Sequence, residues 1–200
     1  MISVHPLLAA RAIPPALTLL MATMLAGQAA DRTLFGLDKV TNPAFWTVVN
    51  DDVMGGLSTS RFEALACGGA IFKGTVRREN NGGFASVRTT PLASDLSNHA
   101  AFVIRVRGDG KRYKFTVRTG AGFDAPLYQC AFTTTLGTWE EHRLEFKDFV
   151  PTFRGSVLRG VPPLDPGTAT SVGFLISDQQ YGPFRLELAW MKISAAKNEP

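Results

Sequence analysis

WTVVNDDVMGGLSTS, Trp46 to Ser60, decides the fold, because it sets an aromatic, an acidic pair, a Gly-Gly and the hydroxyl run Ser58-Thr59-Ser60 among strand-like segments. A helix is a poor host for it: Gly55 and Gly56 each cost roughly 1 kcal/mol in a helix interior. Asn50, Asp51, Asp52 and Ser58 favour local bonds from side chain to backbone, the chemistry of turns. The stretch therefore predicts a strand over Phe45 to Val49, a shaped polar loop, and a returning strand near Thr59 to Phe62. The loop is where a functional surface is expected.

Outward from that loop, the pattern is period two. Tyr113, Phe115 and Val117 alternate with Arg112, Lys114, Thr116 and Arg118, as in a strand with one face in a core and the other in water. Similar runs cover Ile71 to Val76, Phe84 to Arg88, Phe102 to Val106, Tyr128 to Phe132, His142 to Phe146, Val172 to Ile176 and Phe184 to Ile193. With the two strands flanking the loop this makes about ten, at the spacing of an all-β sandwich or barrel. Asp109-Gly110, between Val106 and Tyr113, reads as a hairpin turn. Phe149 to Thr170, with Pro151, Pro162, Pro163 and Pro166, reads as a long connection rather than a strand.

The first 30 residues stand apart. Ala16 to Gly27 is an uncharged apolar run of 12 residues, preceded by Arg11 and followed by the small-residue site Gly27-Gln28-Ala29-Ala30. That is the pattern of a secretory signal peptide over residues 1–30, cleaved near Ala29 or Ala30, with an uncleaved anchor as the alternative. It implies an exported protein, periplasmic or secreted, with no membrane span after cleavage. A single domain follows over residues 31–194, and residues 195–200 read as a frayed polar tail. Of the 21 Lys and Arg, Arg11 lies in the leader, which leaves 20 against 17 Asp and Glu, a net charge of +3. The basic residues are dispersed beside acids and turn residues, so no nucleic-acid stripe forms. In an oxidising space Cys67 and Cys130 can pair, while Cys130 in the apolar run LYQCAF reads equally well as a buried thiol.

The signatures of common enzymes do not appear. His99 and His142 have no Cys-x-x-Cys partner, Gly56-Leu57-Ser58-Thr59-Ser60 lacks the second Gly of a nucleophile elbow, and no glycine pair opens a phosphate-binding helix. The reading assigns no catalytic residue, no metal and no cofactor. For Asp51 and Asp52, capping of turn N–H groups and pairing with Arg88 or Arg154 is weighed against holding calcium, and a glycosidase pair stays open. Trp46, Phe84 and Trp190 read as core. Trp139 or a tyrosine exposed at a loop end would instead serve as a platform for a sugar or a partner.

These motifs together carry a resemblance. Trp46 with Asn50 to Ser60, then Phe72-Lys73-Gly74-Thr75-Val76, then Asn81 to Arg88, then Arg107 to Tyr113, Trp139, and Phe149 with Pro151, Phe153, Arg154 and Gly155 stand in the order found in the complex I intermediate-associated protein 30 family, which the chain resembles over roughly Phe35 to Ile193. The resemblance implies a galactose-binding-like jelly-roll β-sandwich of two antiparallel sheets. It also implies a non-catalytic role, since the mitochondrial members are assembly factors that hold membrane-arm intermediates of NADH:ubiquinone oxidoreductase. The expected surface comprises Asn50, Asp51, Asp52, Met54, Gly55, Gly56, Ser58 and Ser60, with Gly82, Gly83, Arg88, Trp139 and Arg154. Its expected ligand is a protein partner, such as a membrane-complex assembly intermediate, or alternatively a glycan.

Overall fold

The computed structural model describes residues 31–36, 45–89, 95–120 and 125–195. The expected signal peptide and most of the expected tail lie outside these residues. Thirteen strands occur among them: β1 (Arg32–Phe35), β2 (Trp46–Asn50), β3 (Thr59–Ala64), β4 (Ala70–Val76), β5 (Ala85–Thr89), β6 (Ala101–Arg107), β7 (Arg112–Arg118), β8 (Leu127–Thr133), β9 (Trp139–Glu145), β10 (Val150–Phe153), β11 (Ser156–Val157), β12 (Ser171–Ile176) and β13 (Gly182–Ser194). They form two antiparallel sheets, one ordered β3-β4-β13-β6-β9 with β1 also on β13, the other β11-β10-β8-β7-β12-β5-β2. Among the described residues no helix is long and apolar enough to cross a membrane.

The alternating side chains named above fill the space between the sheets. Tyr113, Phe115 and Val117 meet Val172, Phe174 and Ile176 within the second sheet, and face Phe102, Ile104, Val106, Leu186, Leu188, Met191 and Ile193 from the first. Aromatic edges interlock there: Phe102 lies 4.7 Å from Phe115 and 5.0 Å from Phe146, centroid to centroid, the tilted and edge-on contacts that ring quadrupoles favour. β13 alternates cleanly to Leu188, then a bulge beside Ala189 reverses its phase, so Met191 and Ile193 point inward instead of Trp190 and Lys192. Trp190 is thus half-buried, with the Lys192 ammonium 4.3 Å over its ring.

Two local expectations are corrected and one open alternative is decided. Asp109-Gly110 closes no hairpin: β6 pairs with β13 and β9, whereas β7 pairs with β8 and β12, so the connection crosses between sheets. Asp109 earns its place there as an acceptor, taking the Tyr113 hydroxyl at 2.8 Å and the Arg185 N–H at 3.0 Å. The Phe149 to Thr170 stretch is not bare connection, because β10 and β11 form a small hairpin on β8, where Pro151 sits without breaking the ladder. Cys67 and Cys130 are free thiols, one exposed and one buried, which is the unpaired alternative for Cys130.

Candidate functional site

β2 ends in the second sheet and β3 begins in the first, so the Asn50 to Ser60 stretch is a corner between layers. Trp46 anchors one side, tilted against Phe62 at 4.4 Å and Phe35 at 5.2 Å and stacked on Phe174 at 6.4 Å, centroid to centroid, and thereby touches both sheets. The corner itself is one turn of 3-10 helix, Asp51–Met54, where a plain loop was expected. Gly55 ends it at φ 86°, a left-handed value that glycine adopts without steric cost.

Asp51 is the hub of this corner and is fully buried. Its carboxylate accepts the Ser58 N–H at 2.9 Å, the Ser58 hydroxyl at 2.5 Å, the Gly83 N–H at 2.7 Å and the Phe84 N–H at 3.3 Å. Burial pushes the carboxyl up, but the Ser58 hydroxyl and the N–H groups of Gly83, Ser58 and Phe84 outweigh it and hold the group below its ordinary value. Ser58 passes the connection on, since its hydroxyl oxygen accepts the Arg77 N–H at 2.9 Å. Ser60 donates to the Asn50 side chain at 2.6 Å, and the Asn80 amide donates to the Gly55 carbonyl at 3.0 Å.

The glycines serve this hub. A Cβ on Gly56 would lie 2.4 Å from the Asp51 carboxyl carbon, and one on Gly82 would lie 2.7 Å from a carboxylate oxygen. They leave room for an internal carboxylate, where the sequence suggested close approach of a partner. Asp51 and Ser58, expected at the contact surface, are corrected to internal struts: both side chains are buried and their polar atoms are committed. Asp51 performs the turn-capping weighed for the acidic pair, with N–H and hydroxyl donors in place of an arginine.

What the corner presents to solvent is different. Asp52 and Gly55 are exposed, Met54 is 60% exposed and Leu57 53% exposed. Beside them a cleft of about 610 Å³ is lined by Thr75, Val76, Arg77, Arg78, Glu79, Tyr181 and Gly182. Asn80 and Asn81 both adopt left-handed φ, 56° and 59°, a conformation that asparagine tolerates better than most residues. Leu57, Arg77, Arg78 and Tyr181 were not foreseen. The polar run Arg77 to Gly83 could have signalled the arginines, but Tyr181 arrives from a connection a hundred residues downstream and no local pattern marks it.

The remaining expected residues are dispersed. Arg88 projects from the outer face of β5, opposite Thr47 and Gly173. Arg154 sits in the β10–β11 turn at the far edge of that sheet, its guanidinium 5.1 Å from the Phe153 ring centroid. Trp139 opens β9 at the far edge of the other sheet, half-buried, with the Arg107 guanidinium 5.0 Å over its ring. That face of Trp139 is therefore occupied by the guanidinium. Arg107 is itself held by Glu187, buried at the centre of the outer face of the first sheet.

Two facing antiparallel layers closed by crossing corners define a jelly-roll β-sandwich. The fold is similar to the family 11 module of the cellulosomal cellulase Lic26A-Cel5E of Clostridium thermocellum, with a TM-score of 0.62 at 15% identity over 86% of this chain and 98% of that one. It is also similar to part of the agarase AgWH50C, with a TM-score of 0.59 at 13% identity over 86% of this chain and 26% of that one. Within that class, residues 35–188 match the model of complex I intermediate-associated protein 30, and the chain belongs to that family. The mitochondrial complex I intermediate-associated protein 30 of Drosophila melanogaster is 28% identical over 172 residues, 74% of this chain and 57% of that protein. The one of Mus musculus is 30% identical over 106 residues, 51% of this chain and 32% of that protein. The chain thus spans between a third and three fifths of the length of these relatives.

Proposed function

We propose that this protein is an exported, non-catalytic binding module that docks a protein partner on the corner between β2 and β3. The observation that carries the reading is the exposure of Met54 and Leu57 on a turn that a buried carboxylate holds rigid. Large apolar side chains exposed on a fixed turn carry a cost that a partner surface offsets, and methionine suits such a surface because its thioether adapts to what it meets. Asp52 on one side and Arg77 with Arg78 on the other supply charges of both signs around that apolar centre, the arrangement of a polar rim. The relatives are named for association with complex I intermediates, so a subunit of a membrane-bound assembly is the class of partner to look for first.

The test is co-purification from the native host with Met54→Glu and Leu57→Glu beside the unaltered chain. A defined partner should be retained by the unaltered chain and lost from both variants, at unchanged melting temperature. Equal recovery from all three would remove the corner from the account. A fusion of residues 1–30 to a reporter active only outside the cytoplasm tests export, which fails if the reporter stays inactive.

A further inference from the structure

Away from the corner, the outer face of the second sheet carries two arginines that the proposed docking role does not use. Arg88 on β5 lies opposite Gly173 on β12, and Arg118 on β7 lies opposite Ser171, two residues away on the same strand. Their side chains share one face: their neighbours Val87 and Val117 are fully buried in the core, so Arg88 and Arg118 point the other way. From strand spacing alone the two bases lie roughly 12 Å apart, diagonally across β12. Between them stands Gly173, where the sheet is too tight for any side chain: a Cβ there would lie 2.1 Å from the Val87 carbonyl oxygen, 3.0 Å from the Arg88 Cα and 3.1 Å from the Thr116 hydroxyl, so nothing on β12 rises between the two arginines.

Both guanidiniums are half-buried, and neither takes part in any ion pair or side-chain hydrogen bond among the described residues. Most other basic side chains on strands are ion-paired, with Arg32, Arg112 and Lys192 as the exceptions among the described residues. Arg61 and Lys73 share Glu63, Arg105 faces Glu141, Arg107 and Arg185 share Glu187, Lys114 holds Asp178 and Arg143 holds Glu145. Burial lowers the Arg118 pKa, and the charge of Arg88 lowers it further, so the two groups feel each other. Thr116 between them is 6% exposed and its hydroxyl has no hydrogen-bond partner among the described residues. Two neighbouring cations and a spare hydroxyl donor, with no acceptor bonded to them among the described residues, form a receptor for an anion.

We propose that Arg88, Arg118 and Thr116 form an oxyanion-binding site over Gly173, which takes a carboxylate, sulfate or phosphate group of an external ligand. Each guanidinium can donate two parallel N–H bonds to such a group, and Thr116 can donate a third contact from below. The mutual repulsion of the arginines makes the empty site unfavourable and the occupied one favourable, so the anion acts as the missing counter-charge. Ser171 beside them is not a donor, because its hydroxyl is already given to the Thr89 carbonyl at 2.7 Å.

Isothermal titration of the full chain at low ionic strength, with sodium acetate, sulfate and phosphate as separate probes and chloride as the ionic-strength control, tests the site. At least one oxyanion should bind saturably in the millimolar range or tighter. Arg118→Gln and Arg88→Gln should each weaken it about tenfold or more, Arg118→Lys should keep part of the affinity, and Arg61→Gln on the other sheet should change nothing. Preference for acetate marks a carboxylate ligand, and preference for sulfate or phosphate marks an ester. In anion-free buffer Arg118→Gln should melt no lower than the unaltered chain, since it relieves repulsion. Absence of saturable binding by all three probes, or equal loss in Arg61→Gln, overturns the site. Corner variants should leave this binding intact, so failure of the docking proposal and failure of this one are read separately.

Discussion

Asp51 has exchanged water for four donors from Ser58, Gly83 and Phe84, three of them backbone N–H groups and the fourth the Ser58 hydroxyl. Replacing it with asparagine keeps the size but aims an NH2 group at donors, leaving buried N–H groups unpaired. The expected loss is about 2–4 kcal/mol in urea unfolding at neutral pH, from two or more unmade charge-assisted bonds. The pH dependence has a definite sign. The folded carboxyl is held below its ordinary value of 3.8, so the unfolded chain takes up the proton first. The stability Asp51 confers is complete above that value and is lost as pH falls through it toward the folded pKa. The gap between the unaltered chain and Asp51→Asn should therefore narrow from about pH 5 to about pH 3. A gap as wide in acid as at neutrality would show that the carboxylate charge is not what holds the corner. Sequence offered both roles for Asp51, turn-capping and ligand contact, because residue type sets what a carboxylate can bond and not which way it faces. Burial of Asp51 depends on Gly56 and Gly82 packing against it, and Gly82 comes from a loop some thirty residues on.

Strands followed alternation where the chemistry was local. β7 is found where Tyr113, Phe115 and Val117 place it, and Arg112–Arg118 are its bounds. Connections were less legible, because Asp109-Gly110 fits a tight turn within one sheet as well as a crossing between two, and the choice is made by Tyr113 and Arg185 reaching Asp109. β10 was hidden by Pro151, whose missing N–H matters little in a four-residue strand paired to β8. β13 carries the other feature that alternation alone misses. Glu187 faces outward yet is only 2% exposed, because Arg107 and Arg185 close over it with bonds of 2.6–3.1 Å. Burial pushes its carboxyl up, and the two arginines more than reverse that by hydrogen bonds and charge. Both guanidiniums keep contact with water, at 39% and 56% exposure, so their share must be discounted for screening. Glu187→Ala should cost about 1–2 kcal/mol, and a double-mutant cycle with Arg107→Ala should return a coupling of about 1 kcal/mol. Zero coupling would mean that Glu187 serves β13 by filling space alone.

The sandwich as a whole holds its two layers by aromatic and aliphatic packing, and no covalent link joins them among the described residues. Phe102, Phe115, Phe146, Phe149 and Phe174 span the gap between the sheets in a run of tilted and edge-on contacts. Cys67 and Cys130, which an oxidising compartment could have joined, occupy opposite situations. Cys67 lies exposed in the turn between β3 and β4, while Cys130 faces the core from β8, where burial and then the Asp148 charge push its thiol up to about 11. A thiol at that value is almost wholly protonated at neutral pH, and the thiolate is the form that attacks reagents. Titration of the native chain with a thiol reagent at neutral pH should therefore show one fast equivalent, removed by Cys67→Ser, and a second that appears only as the protein unfolds. The melting temperature should be the same with and without reductant, because stability here rests on burial rather than on a closed loop in the unfolded chain. A reductant-dependent fall of several degrees, with no fast thiol in the unreduced protein, would mean that the two cysteines pair and that β8 moves to let Cys130 out.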